Sequence, residues 1–252
     1  MKIIPTVPAR ENEITRVEAF SDGMIAFAAT LLVVSMDPPR TFDDLTRTLY
    51  GFIPFGLSFI ALFYIWVVHT ILFRRYPLTD KASIFINGVL LFTVLFYVQP
   101  LRFLASSFVS LFSPEVGGSR VNSWEQLQSL FMIYSAGWVV IFLLVAWLYQ
   151  RAHATRESLG LTPVEAYDAI TYSRHYLGFV AAGVLSVIVA YAGIGIGFGL
   201  PGLVYSSIGF FVWLNLKNRE PGRKKIADKV AEHPQLAYTG AIRTDEIQHL
   251  IR

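Results

Sequence analysis

From His175 to Leu216 the chain runs for 42 residues without an Asp, Glu, Lys or Arg. One helix crosses a bilayer with about 20 apolar residues, so this stretch is too long for a single span and long enough for two. Gly193-Ile-Gly-Ile-Gly-Phe-Gly-Leu-Pro201-Gly202 lies within it and supplies the turn. Further charge-free runs cover Thr48 to Phe73, Ala82 to Leu101 and Gln126 to Gln150, and Gly23 to Met36 is the charge-free part of a first span over 15–36. Irregular backbone cannot face lipid, because its polar groups would go unsatisfied. The expected fold class is therefore all-α, a polytopic membrane protein with six transmembrane helices. Composition agrees: 15% of residues are charged and 54% apolar, against about 25% charged in a soluble domain.

Prolines and charges mark the span ends. Asp37-Pro38-Pro39 stops the first span, and Arg74-Arg75 closes the second, which Pro54 can kink. The third ends at Pro100 and Arg102, and residues 103–125, rich in Ser and Gly, read as a connection. An amphipathic helix can form over 163–173, ahead of the fifth span. The chain divides into an N-terminal arm (1–14), a six-helix transmembrane domain (15–216) and a polar tail (217–252), partly helical around 225–231. Orientation follows from Lys and Arg near the membrane. Segments on the N-terminal side hold Lys2, Arg10, Arg16, Arg74, Arg75, Lys81, Arg151, Arg156, Arg174, Lys217, Arg219, Arg223, Lys224 and Lys225; the opposite loops hold Arg40, Arg47, Arg102 and Arg120. Fourteen against four puts both termini in the cytoplasm.

Several function classes fall away. With no cysteine there are no disulfides, thiolate metal sites or cysteine nucleophile. A net charge of +3 is too small to argue for nucleic acid. No P-loop, HExxH or hydrolase-spaced pair of carboxylates occurs, so no enzyme, cofactor or resident metal is expected. A Thr-Val-Gly-Tyr-Gly potassium filter is absent too; the Gly193–Gly199 alternation reads as a turn, since a filter also needs a re-entrant pore helix.

The first span, Arg16 to Val34, carries Arg16, Glu18 and Asp22 into or beside its first turns. Ionisable groups in a spanning helix need partners or a function. At about 100° per residue, Phe20, Gly23, Phe27, Thr30, Leu31 and Val34 share one stripe. Asp22, Ala26, Ala29 and Val33 share another, whose alanines allow close approach of a neighbouring helix. At 1.5 Å per residue, Asp22 lies about 10 Å into the membrane, His69 about 7 Å and Asn87 about 10 Å, all from the cytoplasmic side. Ser21, Asp22, His69 and Asn87 thus reach one level, with Arg16 and Trp66 nearby. Matched depth favours a polar scaffold over an ion-binding site.

Arg16-x-x-x-Phe20-Ser21-Asp22-Gly23, followed by Ala26 and Thr30-Leu31-Leu32, resembles the first-helix signature of the transmembrane protein 175 family. Trp66-x-x-His69 resembles the family's tryptophan–histidine motif, and Asn87 with Pro100 matches its third helix. Those proteins are potassium channels of endosomes and lysosomes in animals, with shorter bacterial and archaeal relatives. The resemblance implies a pore lined by first helices from four repeats, without a P-loop filter. Single-repeat members are homotetramers in the cell (inner) membrane, conducting K+ with no cofactor. By position it implies a hydrophobic constriction at Phe27, Leu31 and Val34, with a selectivity-contributing hydroxyl at Thr30. Phe27 departs from the family, where isoleucine or leucine is usual; four phenyl rings could seal tightly or meet ions by cation–π attraction. The alternative is a proton- or cation-coupled secondary transporter working through Asp22 and His69, although inverted repeats and mid-membrane broken helices are not evident.

Overall fold

A computed structural model describes residues 14–34, 39–112 and 121–232. Among them are six long helices: α1 (Arg16–Val34), α2 (Phe42–Arg75), α3 (Lys81–Phe112), α4 (Trp124–Ala154), α5 (Pro163–Tyr191) and α6 (Ser207–Glu232), with three short helical turns between Ile196 and Ser206. Five of them, α1 to α5, are long and apolar enough to cross a membrane, and the protein is a multi-pass membrane protein. Hydroxyl caps start several helices by occupying orphan backbone donors. Thr41 with Asp44, and Thr162 with Glu165, form capping boxes. Thr15 and Glu18 exchange the same two bonds at the start of α1, at 2.9 and 3.2 Å.

Three boundaries differ from the sequence reading. The α3 helix runs past Leu101 to Phe112, so much of the expected Ser/Gly connection is helical. Its serines stay in the helix by bonding back to it: Ser107 Oγ donates to Phe103 O and Ser110 Oγ to Ser106 O, both at 2.9 Å. The amphipathic 163–173 stretch and the fifth span are one helix, and α6 continues unbroken from its apolar start to Glu232. The glycine turn is as expected: Gly193, Gly195 and Gly199 adopt φ of 70, 62 and 67°, where a side chain would be strained.

Contacts divide the chain into two compact units. One comprises the described residues of 14–85 and 94–112, the other 86–93 and 121–232. In the first, α1 packs on α2. Ser21, Ile25, Ala28 and Leu32 are the buried residues of α1, and Ser58, Leu62, Ile65, His69 and Leu72 repeat the same alternation of four and three along α2.

In the second unit, α4 and α5 form the main helix pair. Apolar burial gives little drive between helices in lipid, so close packing and hydrogen bonds decide. A Cβ at Gly183 would lie 2.7 Å from Val139 Cγ2 and 3.0 Å from Trp138 Cδ1, so only glycine permits this approach. Ser186 Oγ donates to Pro201 O at 2.8 Å, which leaves Ser135 Oγ to donate to Ser186 Oγ, also at 2.8 Å. Ser173 Oγ donates to Ala146 O (3.0 Å) and Trp138 Nε1 to Phe179 O (3.2 Å).

The α6 helix is held to α5 by charge. Asp168, fully buried, accepts from Arg219 Nη2 at 2.7 Å and Nε at 3.2 Å, and lies 3.4 Å from Arg223 Nε. The Arg219 guanidinium also donates to Tyr172 Oη at 3.0 Å and sits 4.6 Å from the centre of that ring. Pro221 falls inside the helix between the two arginines. At Gly222 a Cβ would overlap Tyr167 Oη, so any side chain there would have to displace that ring.

Candidate pore-lining helix and its polar base

The burial of Ser21, Ile25, Ala28 and Leu32 fixes the rotation of α1. It leaves the stripe of Phe20, Gly23, Phe27, Thr30 and Val34 exposed, apart from half-buried Leu31 at its edge, though Gly23 itself offers no side chain. Phe27 is 55% and Val34 75% exposed, large apolar side chains that this chain leaves uncovered. Thr30 Oγ1 donates to Phe27 O at 2.7 Å. Its single proton is thus committed to the helix, and the oxygen lone pairs remain to accept or to meet a cation.

The face expected to pack closely, Asp22, Ala26, Ala29 and Val33, is not the one α1 buries in its own chain. Asp22, Ala26 and Val33 are exposed and Ala29 is half-buried. The adjacent stripe through Ser21 goes inward instead. Ser21 Oγ donates to Val17 O at 2.7 Å, a bond within the helix that eases burial of its hydroxyl, whereas burying a carboxylate costs several kcal/mol.

At the base of α1, Trp66 Nε1 donates to Asp22 Oδ1 at 2.8 Å across 44 residues of sequence. Trp66 ends a row of rings along α2: Phe55, Phe59 and Phe63 follow at 6.0 and 6.2 Å, and Phe63 lies 5.2 Å from Trp66. His69 is buried one turn on, its ring stacked 4.5 Å from Phe73. Arg16 is exposed, as is Phe20. Asn87 is buried and belongs to the second unit. Of the residues expected at one depth, Asp22 is thus joined to Trp66, which was expected nearby.

That bond has a measurable expectation. Asp22→Ala and Trp66→Phe should each cost about 1–1.5 kcal/mol, the net contribution of one hydrogen bond. The double variant should cost no more than either, while Asp22→Asn, which keeps Oδ1 as acceptor, should lose about half as much. Denaturant titration of the purified protein reads all four; additive losses would show that the bond carries no coupling.

Two features carried no sequence signal. Arg102 Nη1 donates to Leu32 O, in the last turn of α1, at 3.2 Å. The Asp168–Arg219 pair joins residues 51 apart.

Comparison with known proteins bears on the family of the chain. Residues 16–97, which contain α1, α2 and the first half of α3, match the family model described as endosomal/lysosomal potassium channel TMEM175. A potassium channel of Marivirga tractuosa is 34% identical over 192 residues, covering 73% of this chain and 78% of that protein. A potassium channel of Chamaesiphon minutus is 34% identical over 103 residues, 38% of this chain and about half its own length (51%). The crystal structure of a variant of the potassium channel MtTMEM175, bound to a nanobody fusion protein, superposes with a TM-score of 0.74 at 31% identity, covering 84% of this chain and 96% of that one. A lysosomal potassium-selective channel homologue from Chamaesiphon minutus, at 21% identity and a TM-score of 0.53, shares the fold over 79% of this chain and 96% of its own. By sequence and by fold, the chain belongs to the TMEM175 family.

Proposed function

We propose that this protein is a potassium-selective channel, a homotetramer in which four copies of α1 surround the pore. The observation that carries the reading is the uncovered stripe of α1, Phe27, Thr30 and Val34 with half-buried Leu31, above a base tied by the Asp22–Trp66 bond. It is supported by the potassium channels among its relatives. Around a fourfold axis Phe27, Leu31 and Val34 recur as apolar rings. Such rings block ions by expelling water, since an ion would shed hydration with nothing to replace it. The Thr30 oxygens, their protons donated to Phe27 O, supply a polar ring among them. Selectivity in this reading needs no P-loop filter, and conduction calls for no cofactor, resident metal or chemical step.

The same reading places the chain in the cell membrane with both termini cytoplasmic, from the fourteen-to-four distribution of Lys and Arg. Residues 1–14 and 217–252 are then cytoplasmic, and 15–216 form the channel domain. Because α6 is continuous through 217, that last boundary is one of environment and not of secondary structure. Cysteines placed at Gly117 and Ser158 in this cysteine-free chain should react with an impermeant thiol reagent from outside and inside respectively; reversed labelling would overturn the orientation.

Purified protein in a planar bilayer under opposed potassium and sodium gradients tests the function. Current should reverse near the potassium equilibrium potential and ignore a pH gradient. A reversal potential that tracks protons would point to coupled transport through Asp22 and His69, and a silent bilayer would sink both readings.

A further inference from the structure

The α6 helix carries basic residues on two faces, and one of those faces is taken up by α5. Arg219 and Ile226 are buried, at 2% and 3% exposure. At about 100° per residue both lie roughly opposite Lys217, so Lys217 points away from α5. Phe210, Trp213 and Lys224 share a sector of about 60° with it, and all four side chains are exposed. The stripe changes character within one turn. The rings of Phe210 and Trp213 lie 6.0 Å apart, and Lys217 Nζ sits 5.1 Å from the centre of the Trp213 ring. Aromatic surface thus gives way to positive charge at a fixed point on the helix. The level of that point is set by α5: Phe211 lies against Gly178, midway along the membrane-crossing helix, and Arg219 against Asp168 near its start.

Five basic residues stand from Lys217 to Lys225, against one carboxylate, Glu220. Asp168 takes up Arg219 and draws on Arg223, which leaves the exposed Lys217, Lys224 and Lys225 as the outward-facing charge. Glu220 borders the stripe between the lysines, and Asp228 lies on it one turn beyond Lys224, both exposed. Tryptophan favours the level of lipid headgroups. Lysine lays its stem on apolar surface while its ammonium reaches the polar layer. A phospholipid matches this stripe from end to end, with an acyl chain along Phe210 and Trp213 and a phosphate at Lys217. Lys224 is about 10 Å farther along the axis, and its flexible stem can turn back toward the same layer. We propose that this stripe is a binding surface for an anionic phospholipid, Lys217 holding the headgroup phosphate and Lys224 strengthening the attraction. A soluble anion would make no use of the rings, so the bilayer is the source. The proposal needs a membrane-spanning chain and nothing of the channel reading.

With no native cysteine, one fluorophore can be placed beside the stripe through Gly209→Cys, an exposed position with open space around it. The full chain is reconstituted in phosphatidylcholine vesicles that contain spin-labelled phosphatidylglycerol or, at the same mole fraction, spin-labelled phosphatidylcholine. Quenching reads how strongly each lipid associates near the label. Phosphatidylglycerol should be preferred about tenfold, and Lys217→Gln should lower that preference about fivefold. With Lys224→Gln added, the two lipids should quench alike. Lys217→Arg, which keeps the charge, should keep the preference, and Glu220→Gln should raise it. If Lys217→Gln does not assemble, Lys224→Gln alone takes its place, with a smaller loss expected. Equal quenching by the two lipids in the parent would overturn the assignment, as would a preference that survives both lysine substitutions. Loss of the preference on adding millimolar inorganic phosphate would overturn it too, since the lysines would then serve a soluble anion.

Discussion

Phe27→Asn and Leu31→Asn are each expected to raise potassium current about tenfold, the effect of taking about 1.4 kcal/mol off the barrier. Both side chains lie in the α1 stripe that the protomer leaves wholly or partly uncovered. In a fourfold pore a single substitution changes four side chains of one ring at once. Asparagine is smaller than phenylalanine and brings both a donor and an acceptor, so water and ions gain partners where the apolar ring offered none. Selectivity should fall as current rises, because a wider hydrated passage no longer strips the ion. Thr30→Ala should behave differently, with a modest effect on current but a loss of potassium preference, since in the proposed pore it would remove a ring of hydroxyl oxygens whose protons are held by Phe27 O. Conductances and reversal potentials under mixed potassium and sodium read all three variants. If both asparagine variants match the parent, this stripe faces lipid and the pore assignment falls.

Asp168→Ala carries the largest expected loss of stability. The carboxylate is fully buried and serves two arginines, one of which, Arg219, is only 2% exposed. Removing it leaves a guanidinium that can neither lose its proton nor reach water freely, and breaking a buried pair in this way costs about 3–5 kcal/mol. Tyr172 lessens the loss through its hydroxyl and ring face without replacing a charge. Arg223→Gln should cost under about 1 kcal/mol, since that side chain reaches solvent. Replacing both buried partners, Asp168→Leu with Arg219→Met, should recover most of the loss, because an apolar pair of similar volume is often as stable. Denaturation midpoints in detergent compare the four proteins; an Asp168→Ala variant within about 1 kcal/mol of the parent would show that the attraction within the pair does not exceed the cost of burying it.

The spans were legible because crossing lipid imposes a length and a composition, and both are local properties of sequence. Their ends were less so. Ser106, Ser107 and Ser110 have the composition of a loop, yet hydroxyls that bond back to a preceding carbonyl sit in a helix at little cost. Glu165 and Asp168 hid the start of the fifth span, since a charge in an apolar helix normally marks its edge. One turned out to be half of a capping box and the other half of a buried pair. At the base of α1, matched depth put Ser21, Asp22, His69 and Asn87 at one level with Trp66 nearby, and the bond that Asp22 accepts comes from Trp66. Which stripe of α1 would face inward was not legible. Ser21 and Asp22 are neighbours about 100° apart, and the choice turned on a hydroxyl that could satisfy itself against Val17 O and a carboxylate that could not.

Proline inside α6 ought to make a joint. Pro221 has no N–H to give the preceding turn, and its ring crowds the carbonyl four residues back, so the helix there should bend easily. Arg219 stands before that point and Arg223 after it, and one rigid carboxylate grips both. Asp168 therefore acts as a splint: flexing at the proline would have to draw one of the two arginines away from the carboxylate they share. Over the 26 residues of α6, about 39 Å end to end, both sides of the proline are thus tied to one point on α5. Bending of the arm from 224 onward is therefore opposed by that shared grip as well as by the backbone at the joint.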